Sequence, residues 1–200
     1  MTEAPATQVA RLPRARRREQ IVAAATEAFA RAGYAATSLD DIATEAGVSR
    51  VILYRHFESK AELYEAVLDR VGDVLAAHVN ERVGGYTEAS LDGFVDAAAA
   101  EPAGFRLLFQ HAGREAEFRE RADRFRADIT EAAYVQISAL VPNPSWARWA
   151  SQLAPAVAIE AIIAWLDAGR PDPDMAAERI RQVVGCVIGS VTRGGSGADC

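Results

Sequence analysis

Apolar residues recur at helical spacing along most of this chain of 200 residues. The clearest segment lies near the end, where aliphatic residues follow one another at i, i+3, i+4, i+7, i+8 and i+11: Ile180, Val183, Val184, Val187, Ile188 and Val191. A helical period places all of them on one face. Alanine, leucine, arginine and glutamate fill the interiors of such segments, while glycine and proline mark their borders. The pattern therefore predicts an all-α fold.

Short helices with clear end signals are predicted in the first third of the chain. The first helix is expected to stop at Gly33, since glycine adopts the left-handed conformation common just past a helix end. Ser38 is a good N-cap for a second helix, which Gly47 closes, and Ser49 opens a third that runs to about residue 57. Ser59 then begins a long fourth helix with a capping-box pattern.

Charge is distributed unevenly along the chain, although the net charge is −6. Residues 1–70 hold ten basic and ten acidic side chains, whereas residues 71–200 hold twelve and eighteen. Within the first part, residues 11–33 carry six arginines against two glutamates, a local charge of +4. The overall acidity therefore does not exclude a polyanionic partner for the beginning of the chain.

Several classes of protein are not favoured by the composition. No signal-like apolar region follows the start, and the apolar runs are interrupted short of the roughly 18–20 residues that cross a bilayer. We therefore predict a soluble, cytoplasmic protein without a membrane partner. Cys186 and Cys200, the only cysteines, predict neither a disulfide framework nor a metal site, and no cofactor is expected.

Residues 38–57 have the composition of two short helices joined by a tight turn. Two helices that cross near a right angle need a small residue at the crossing, here Ala43, and one that tolerates positive φ in the turn, here Gly47. The start of the third helix is then left facing outward with Ser49, Arg50 and Val51. Such a bent pair is typical of a helix-turn-helix, whose second helix enters the major groove of DNA.

The residues that carry this pattern resemble the DNA-binding domain of the tetracycline-repressor (TetR) family. They are Gly33-Tyr34, Thr37-Ser38, Ile42-Ala43, Ala46-Gly47-Val48-Ser49, Leu53-Tyr54, His56-Phe57, Ser59-Lys60 and Glu62-Leu63. The resemblance implies an all-α fold of nine or ten helices, dimerisation through the last two helices in a four-helix interface, and an inducer pocket in the C-terminal domain. Val51 and Ile52 depart from the small and polar residues that many members have there, so contacts to thymine methyl groups are an alternative to hydrogen bonds.

Composition and resemblance together divide the chain. The predicted segments are a disordered arm (1–13), a helix-turn-helix domain (14–66), a ligand-binding and dimerisation domain (67–192) and a flexible tail (193–200).

Side chains suited to DNA cluster around the predicted third helix. By similarity, the expected contacts are Thr37, Ser38, Ser49, Arg50, Val51, Tyr54, Arg55, His56 and Lys60. Lys60 is the only lysine and lies in the first turn of a helix, where the dipole favours anions, so a phosphate partner is favoured. The alternatives are a solvated charge for Lys60 and packing or capping for Tyr54 and His56. The arginines between residues 14 and 18 fit either an arm that reaches DNA or a solvated run.

The second domain is rich in aromatic residues, most of which could simply be core. The candidates for lining an inducer pocket are Phe105, Phe109, His111, Phe118, Phe125 and Trp149. The candidates for a homodimer interface are Ala158, Ile162, Trp165, Ile180, Val184, Val187, Ile188 and Val191. Burial of the same stripe inside one chain is the alternative to the dimer.

Three functions compete at this point. The first is a homodimeric repressor that binds palindromic double-stranded operator DNA and is released by a small hydrophobic or amphipathic effector. The second keeps the DNA binding without small-molecule control. The third is an enzyme, but the sequence has no nucleophile elbow, Gly-rich phosphate loop or metal-ligand spacing. We therefore predict no catalytic or metal-binding residues.

Overall fold

The computed structural model describes residues 13–80 and 88–192, and this part of the chain contains nine α-helices and no strand. The helices are α1 (Arg14–Ala36), α2 (Leu39–Glu45), α3 (Arg50–Tyr54), α4 (Lys60–Asn80), α5 (Glu88–Ala100), α6 (Pro102–Arg106), α7 (Arg119–Leu140), α8 (Pro144–Asp167) and α9 (Pro173–Thr192). The predicted all-α class is confirmed. The predicted arm, apart from Pro13, and the predicted tail from residue 193 onward lie outside the described residues.

The chain forms two compact units, Met1–Val67 and Leu68–Cys200. In the first unit, one core collects side chains from α1 to α4 that have no accessible surface: Ile21, Phe29, Ile42, Leu53 and Leu63. Burial of each such side chain stabilises the fold by about 1.5–3 kcal/mol. Five- and seven-residue helices are too short to be stable alone, so this shared core holds α2 and α3 in place.

The predicted helix ends are close to those observed, with two differences. Gly33 has the expected positive φ of 79°, but its ψ of 165° only interrupts α1, which adds a last turn up to Ala36. A Cβ at Gly33 would meet nothing within 4 Å, so the backbone conformation alone favours glycine there. The third helix ends at Tyr54, three residues before the predicted end.

The second unit is built on long helices that pack through small and aliphatic side chains. α8 contacts both α7 and α9. A buried cluster joins the end of α7 to the first half of α8, and four side chains of α9 pack against it: Val184, Val187, Ile188 and Val191. Gly93 of α5 lies against α4, where a Cβ would come within 2.6 Å of the His78 carbonyl oxygen. Helix backbones therefore approach closely in this unit.

Among the described residues, α8 is the one helix long and apolar enough by itself to cross a membrane. The prediction that every apolar run is too short is therefore wrong for this segment. Half of its apolar window is buried inside the protein, with Ala150 and Ile162 fully enclosed. α8 continues through Pro155 as one helix.

Candidate DNA-binding interface

The start of α2 is fixed by a capping box. The hydroxyl oxygen of Ser38 accepts a hydrogen bond from the Asp41 amide at 3.1 Å, and the Ser38 amide donates to the Asp41 carboxylate at 3.0 Å. The Ser38 hydroxyl also donates to that carboxylate, and these bonds hold the pKa of Asp41 below its usual value. The cap satisfies amides that the helix itself leaves unpaired.

A tight turn joins α2 to α3. Gly47 has a φ of 63°, and the Val48 amide donates to the Ala43 carbonyl at 2.9 Å, which closes the turn. The hydroxyl oxygen of Ser49 accepts from the Ile52 amide at 3.4 Å and caps α3. Ser38, Gly47 and Ser49 therefore have the local roles that were predicted for them.

Polar bonds to α1 hold this turn in position. The side-chain amide of Gln20 donates to the Ala46 carbonyl at 2.7 Å, and Arg31 pairs with Glu45 at 2.5 Å. Both partners on α2 lie at its C-terminal end, next to the turn. The orientation of α3 is thus set by α1 as well as by its own buried Leu53.

The outward side of α3 carries Arg50, Val51, Tyr54 and Arg55. Val51 is 62 % exposed, an unusual position for an aliphatic side chain. The guanidinium of Arg50 pairs with Asp40 at 3.0 Å and lies over the Tyr54 ring at 5.5 Å. The Tyr54 hydroxyl and the Asp40 carboxylate raise the pKa of Arg50, which stays charged. This face offers cations, a hydroxyl and methyl groups together, which suits the edges of base pairs and phosphates.

Positive charge gathers beside the turn that follows α3. Partial burial, Arg14, Arg18 and Arg17 all lower the pKa of His56. The Arg18 guanidinium also lies over the Phe57 ring at 4.7 Å. The first turns of α1 therefore adjoin the end of α3, an arrangement that sequence reasoning left open. The excess of arginine over residues 11–33 was the available signal.

Two of the predicted DNA contacts, Thr37 and Lys60, direct their polar groups to the end of α1. Thr37 is buried, and its hydroxyl donates to the Gly33 carbonyl at 2.7 Å. The Lys60 ammonium donates to the carbonyl oxygens of Tyr34 at 2.8 Å and Thr37 at 3.1 Å. Both side chains stabilise the end of α1, so we do not keep them as phosphate contacts. Ser38 and Ser49 are exposed, and their hydroxyls cap helices.

The first unit also matches a known family of proteins. Residues 21–67 match the sequence profile described as "Bacterial regulatory proteins, tetR family". The first unit is therefore similar to the regulatory proteins of the tetR family. The resemblance noted from spaced residues is thereby confirmed, and it covers the capped helix pair and the core beneath it.

Curated relatives match only part of the chain's length. The HTH-type transcriptional activator FasR of Mycolicibacterium smegmatis is 42% identical over 107 residues, which are 50% of this chain and 49% of FasR. The HTH-type transcriptional repressor Rv3405c of Mycobacterium tuberculosis is 43% identical over 77 residues, 38% of this chain and 41% of that protein. The chain thus spans about half or less of these relatives, which include an activator and a repressor.

Solved structures extend the likeness to the whole fold. A TetR-like transcriptional regulator from Rhodococcus sp. RHA1 has a TM-score of 0.76, with 22% identity over 88% of this chain and 97% of that one. NalD of Pseudomonas aeruginosa, described as the secondary repressor of the MexAB-OprM multidrug efflux pump, has a TM-score of 0.64 at 24% identity over 88% of this chain and 98% of its own. At these identities the likeness establishes the tetR-family fold.

The two cavities identified among the described residues are lined by at most one of the residues predicted for an inducer pocket, Phe109. Phe105, Phe109 and Phe118 are buried core residues, and the Phe109 ring lies 5.8 Å from that of Phe125. Trp149 is 42 % exposed. Burial also lowers the pKa of His111, which is half-buried. The contacts seen for these rings are with neighbouring rings, and a pocket between them stays a prediction.

A different region of the second unit holds an apolar cavity of about 850 Å³ between α5, α7, α8 and α9. Its wall combines aliphatic residues with a few polar ones: Ser90, Leu91, Phe94, Ile129, Ala133, Gln136, Ile137, Ala139, Leu140, Ala154, Pro155, Ala158, Ile159, Arg181, Val184, Gly185, Ile188, Gly189 and Thr192. Ala158, Val184 and Ile188 had been predicted for the dimer interface. None of the six residues predicted to line an inducer pocket is part of this cavity.

The other predicted interface residues divide by burial. Ile162, Trp165 and Ile180 are buried inside the single chain, and the Trp165 indole donates to the Pro171 carbonyl at 2.8 Å. They leave almost no surface for a second subunit, which corrects their assignment. Val187 and Val191 are half-buried against the α7–α8 cluster. Helical periodicity predicted the apolar stripe of α9, but it does not predict whether the same chain or a second subunit covers that stripe.

Proposed function

We propose that this chain is a sequence-specific DNA-binding transcriptional regulator, a repressor that a small molecule releases from its operator. The observation that carries the proposal is the outward face of α3, where Arg50, Val51, Tyr54 and Arg55 stand exposed on a helix capped and braced from behind. A bacterial regulator of this kind works in the cytoplasm, where we place the protein.

The contacts to DNA follow from chemistry. Arg50 suits the acceptors on a guanine edge, and Val51 suits a thymine methyl group. Tyr54, Arg55 and the charged form of His56 suit phosphates, together with Arg14 and the neighbouring arginines of α1. Ser49 remains in the proposal because its exposed hydroxyl only accepts in its cap and can donate its proton to a phosphate. Ser38 also remains, but its hydroxyl proton would have to leave the Asp41 carboxylate to reach a phosphate.

We further propose that the protein acts as a homodimer. Between Trp146 and Ala164, one face of α8 is accessible and almost wholly apolar, with Glu160 as its charged member. On α9, Val183 and Cys186 are also exposed. Two copies would bury these faces and present two α3 helices to half-sites roughly 34–36 Å apart, or a multiple of that spacing. Of the original set, Ala158, Val184, Val187, Ile188 and Val191 stay at the margin of this interface.

The apolar cavity supports the proposal that a small hydrophobic or amphipathic effector binds to the second unit. A volume of about 850 Å³ falls within the range of roughly 300–1,000 Å³ that is common for ligand sites. Gln136 and Arg181 are among its few polar side chains. An effector that prefers dimers with wrongly spaced α3 helices would lower the DNA-bound population.

A DNA-binding protein without small-molecule control is the second candidate. It is favoured by the fact that α8 and α9 contribute both the cavity wall and the proposed interface, so a second copy could fill the cavity. Calorimetric titration with a panel of apolar compounds separates the two. Binding of one compound with loss of DNA affinity supports the inducer, and its failure across the panel favours the second candidate.

The DNA-binding proposal is tested by fluorescence anisotropy with duplexes from the region flanking the gene. Arg50→Ala should weaken binding to a palindromic site by about 1–3 kcal/mol and relax its sequence preference. Arg124→Ala removes the same charge from an exposed position on α7 and serves as the matched control. Absence of salt-sensitive, palindrome-specific binding by the wild type at submicromolar concentration would discard the proposal.

The dimer is tested by sedimentation. Val183→Glu places a charge on the exposed face of α9 and should shift the protein toward monomer, while Gln182→Glu is the adjacent control on the same helix. A monomeric wild type at micromolar concentration would contradict the interface.

A further inference from the structure

We propose that Lys60 is a positioning residue, which ties the start of α4 to the end of α1 and the entry of α2, and that its ammonium does not contact phosphate. This inference rests on the proposed DNA binding, which it deepens. It reverses the expectation from sequence, in which the only lysine of the chain was a phosphate ligand.

The first step concerns the hydrogen-bonding capacity of the ammonium group. The Lys60 Nζ atom lies 2.8 Å from the Tyr34 carbonyl oxygen, 3.1 Å from that of Thr37 and 3.4 Å from that of Ala35. An ammonium has three donors and no acceptor. Three backbone acceptors within reach therefore match its full capacity. A phosphate would have to displace carbonyl groups that are already in place.

The second step explains why carbonyl groups are available at this point. The carbonyls in the last turn of a helix have no partner within that helix. α1 is interrupted at Gly33 and ends at Ala36, so Tyr34 and Ala35 belong to such a last turn. The same end of the helix carries the negative pole of the helix dipole, which favours a cation. Lys60 also lies 4.4 Å above the Tyr34 ring, a further site of attraction.

The third step links this contact to the DNA-binding face. Thr37 directly precedes Ser38, the N-cap of α2, and the Thr37 hydroxyl donates back to the Gly33 carbonyl. The Thr37 carbonyl accepts a hydrogen bond from Lys60, so both the hydroxyl and the carbonyl of Thr37 are hydrogen-bonded. The first residue of α2 is thus positioned relative to α1 and α4. This also positions the Arg50 side chain, because Arg50 pairs with Asp40 of α2.

The test compares Lys60→Met with Arg55→Met on a duplex that carries the palindrome bound by the wild type. Each phosphate contact contributes about 0.9 to the slope of log affinity against log salt. Lys60→Met should weaken binding by about tenfold, leave that slope unchanged and lower the melting temperature. Arg55→Met should reduce the slope and leave the melting temperature unchanged.

The opposite pattern for Lys60→Met overturns the proposal: a slope smaller by about 0.9 with an unchanged melting temperature means a phosphate contact. No change in affinity, slope or melting temperature means a solvated charge and overturns it as well. If the wild type binds no duplex, the DNA-binding proposal fails. The melting temperature of Lys60→Met still tests whether Lys60 stabilises the contact between α4 and the end of α1.

A second measurement uses the fact that the chain has one lysine. Protein labelled with ¹⁵N-lysine should give one side-chain ammonium resonance, with hydrogens that exchange slowly with water. Its chemical shift should stay nearly the same when the duplex is added. Rapid exchange in the free protein, or a large shift with DNA, overturns the proposal even if Lys60→Met fails to fold.

Discussion

The two units of the chain are stabilised in different ways. In the first, polar bonds between particular residues, such as the Ser38–Asp41 capping box and the Gln20 bond to Ala46, add to the shared core in fixing the short helices. In the second, long helices pack through small and aliphatic side chains, as α5 does where Gly93 meets α4. Polar bonds demand particular residue types, whereas many apolar combinations fill the same space.

This difference explains why the sequence of one unit points to a function and that of the other does not. The family profile matches residues 21–67, within the first unit. The helices of the second unit have the same periodicity as any buried helix, so their sequence does not identify what they bind. Substitutions in each unit test whether polar bonds and close packing have these separate roles.

The largest effect is expected for Leu53→Ala. Leu53 has no accessible surface and joins α3 to the core of the first unit. Its truncation should lower the free energy of unfolding by about 2–5 kcal/mol, measured by urea denaturation. Leu140→Ala, at a position that is 61 % exposed, is the control and should change the free energy by less than about 0.5 kcal/mol. A small loss for Leu53→Ala would mean that polar bonds alone hold α3.

Next in size is Gly93→Ala in the second unit. The added methyl group would meet the His78 backbone at 2.6 Å, so α4 and α5 must separate. We expect a loss of about 1–3 kcal/mol in the free energy of unfolding. Gly72→Ala is the matched control within α4, since its new methyl group would meet only the Phe125 ring at 4.0 Å. Equal stability of the two variants would refute close packing as the constraint on this unit.

A smaller loss is expected for Ser38→Ala, which removes the cap of α2. The cost should be about 0.5–2 kcal/mol in thermal or chemical unfolding. Ser38→Asn retains a capping side chain and should recover most of the stability. If Ser38→Ala unfolds like the wild type, the capping box does not stabilise the first unit, and the contrast between the units weakens.

The smallest effect concerns the pH dependence of DNA binding through His56. Partial burial and Arg14, Arg18 and Arg17 keep its pKa below the ordinary value of 6.5 in the free protein. A phosphate favours the charged form, so binding takes up a proton and affinity should increase as pH falls through this range. The change should stay below about tenfold per pH unit, the limit for one proton.

Anisotropy titrations between pH 8 and pH 5.5 measure this effect, and His56→Gln should flatten the dependence. The folding stability of the free protein should depend on pH in the opposite direction. Because the pKa of His56 is lower in the folded than in the unfolded state, stability is lost as pH falls below the unfolded pKa. A wild type whose affinity is flat over this range would show that His56 stays neutral in the complex.

Local interactions explain what could be predicted from sequence. Ser38 and Ser49 cap helices within three residues of themselves, and Gly47 takes a positive φ at its own position. Such features depend on neighbours along the chain. These caps and the turn glycine were enough to predict the helix pair and the outward position of Arg50 without knowledge of tertiary contacts.

The tertiary structure decided which partner each ambiguous side chain has. Lys60 meets carbonyls 23 to 26 residues away, and Ile162 is enclosed by its own chain although it lies on a stripe that suited a dimer. Phe105, Phe109 and Phe118, which were predicted for a pocket, are core residues, and an apolar cavity has a different set of lining residues. Residue type and spacing specify a helix and its apolar face, but the surface that covers that face is determined by how distant segments pack.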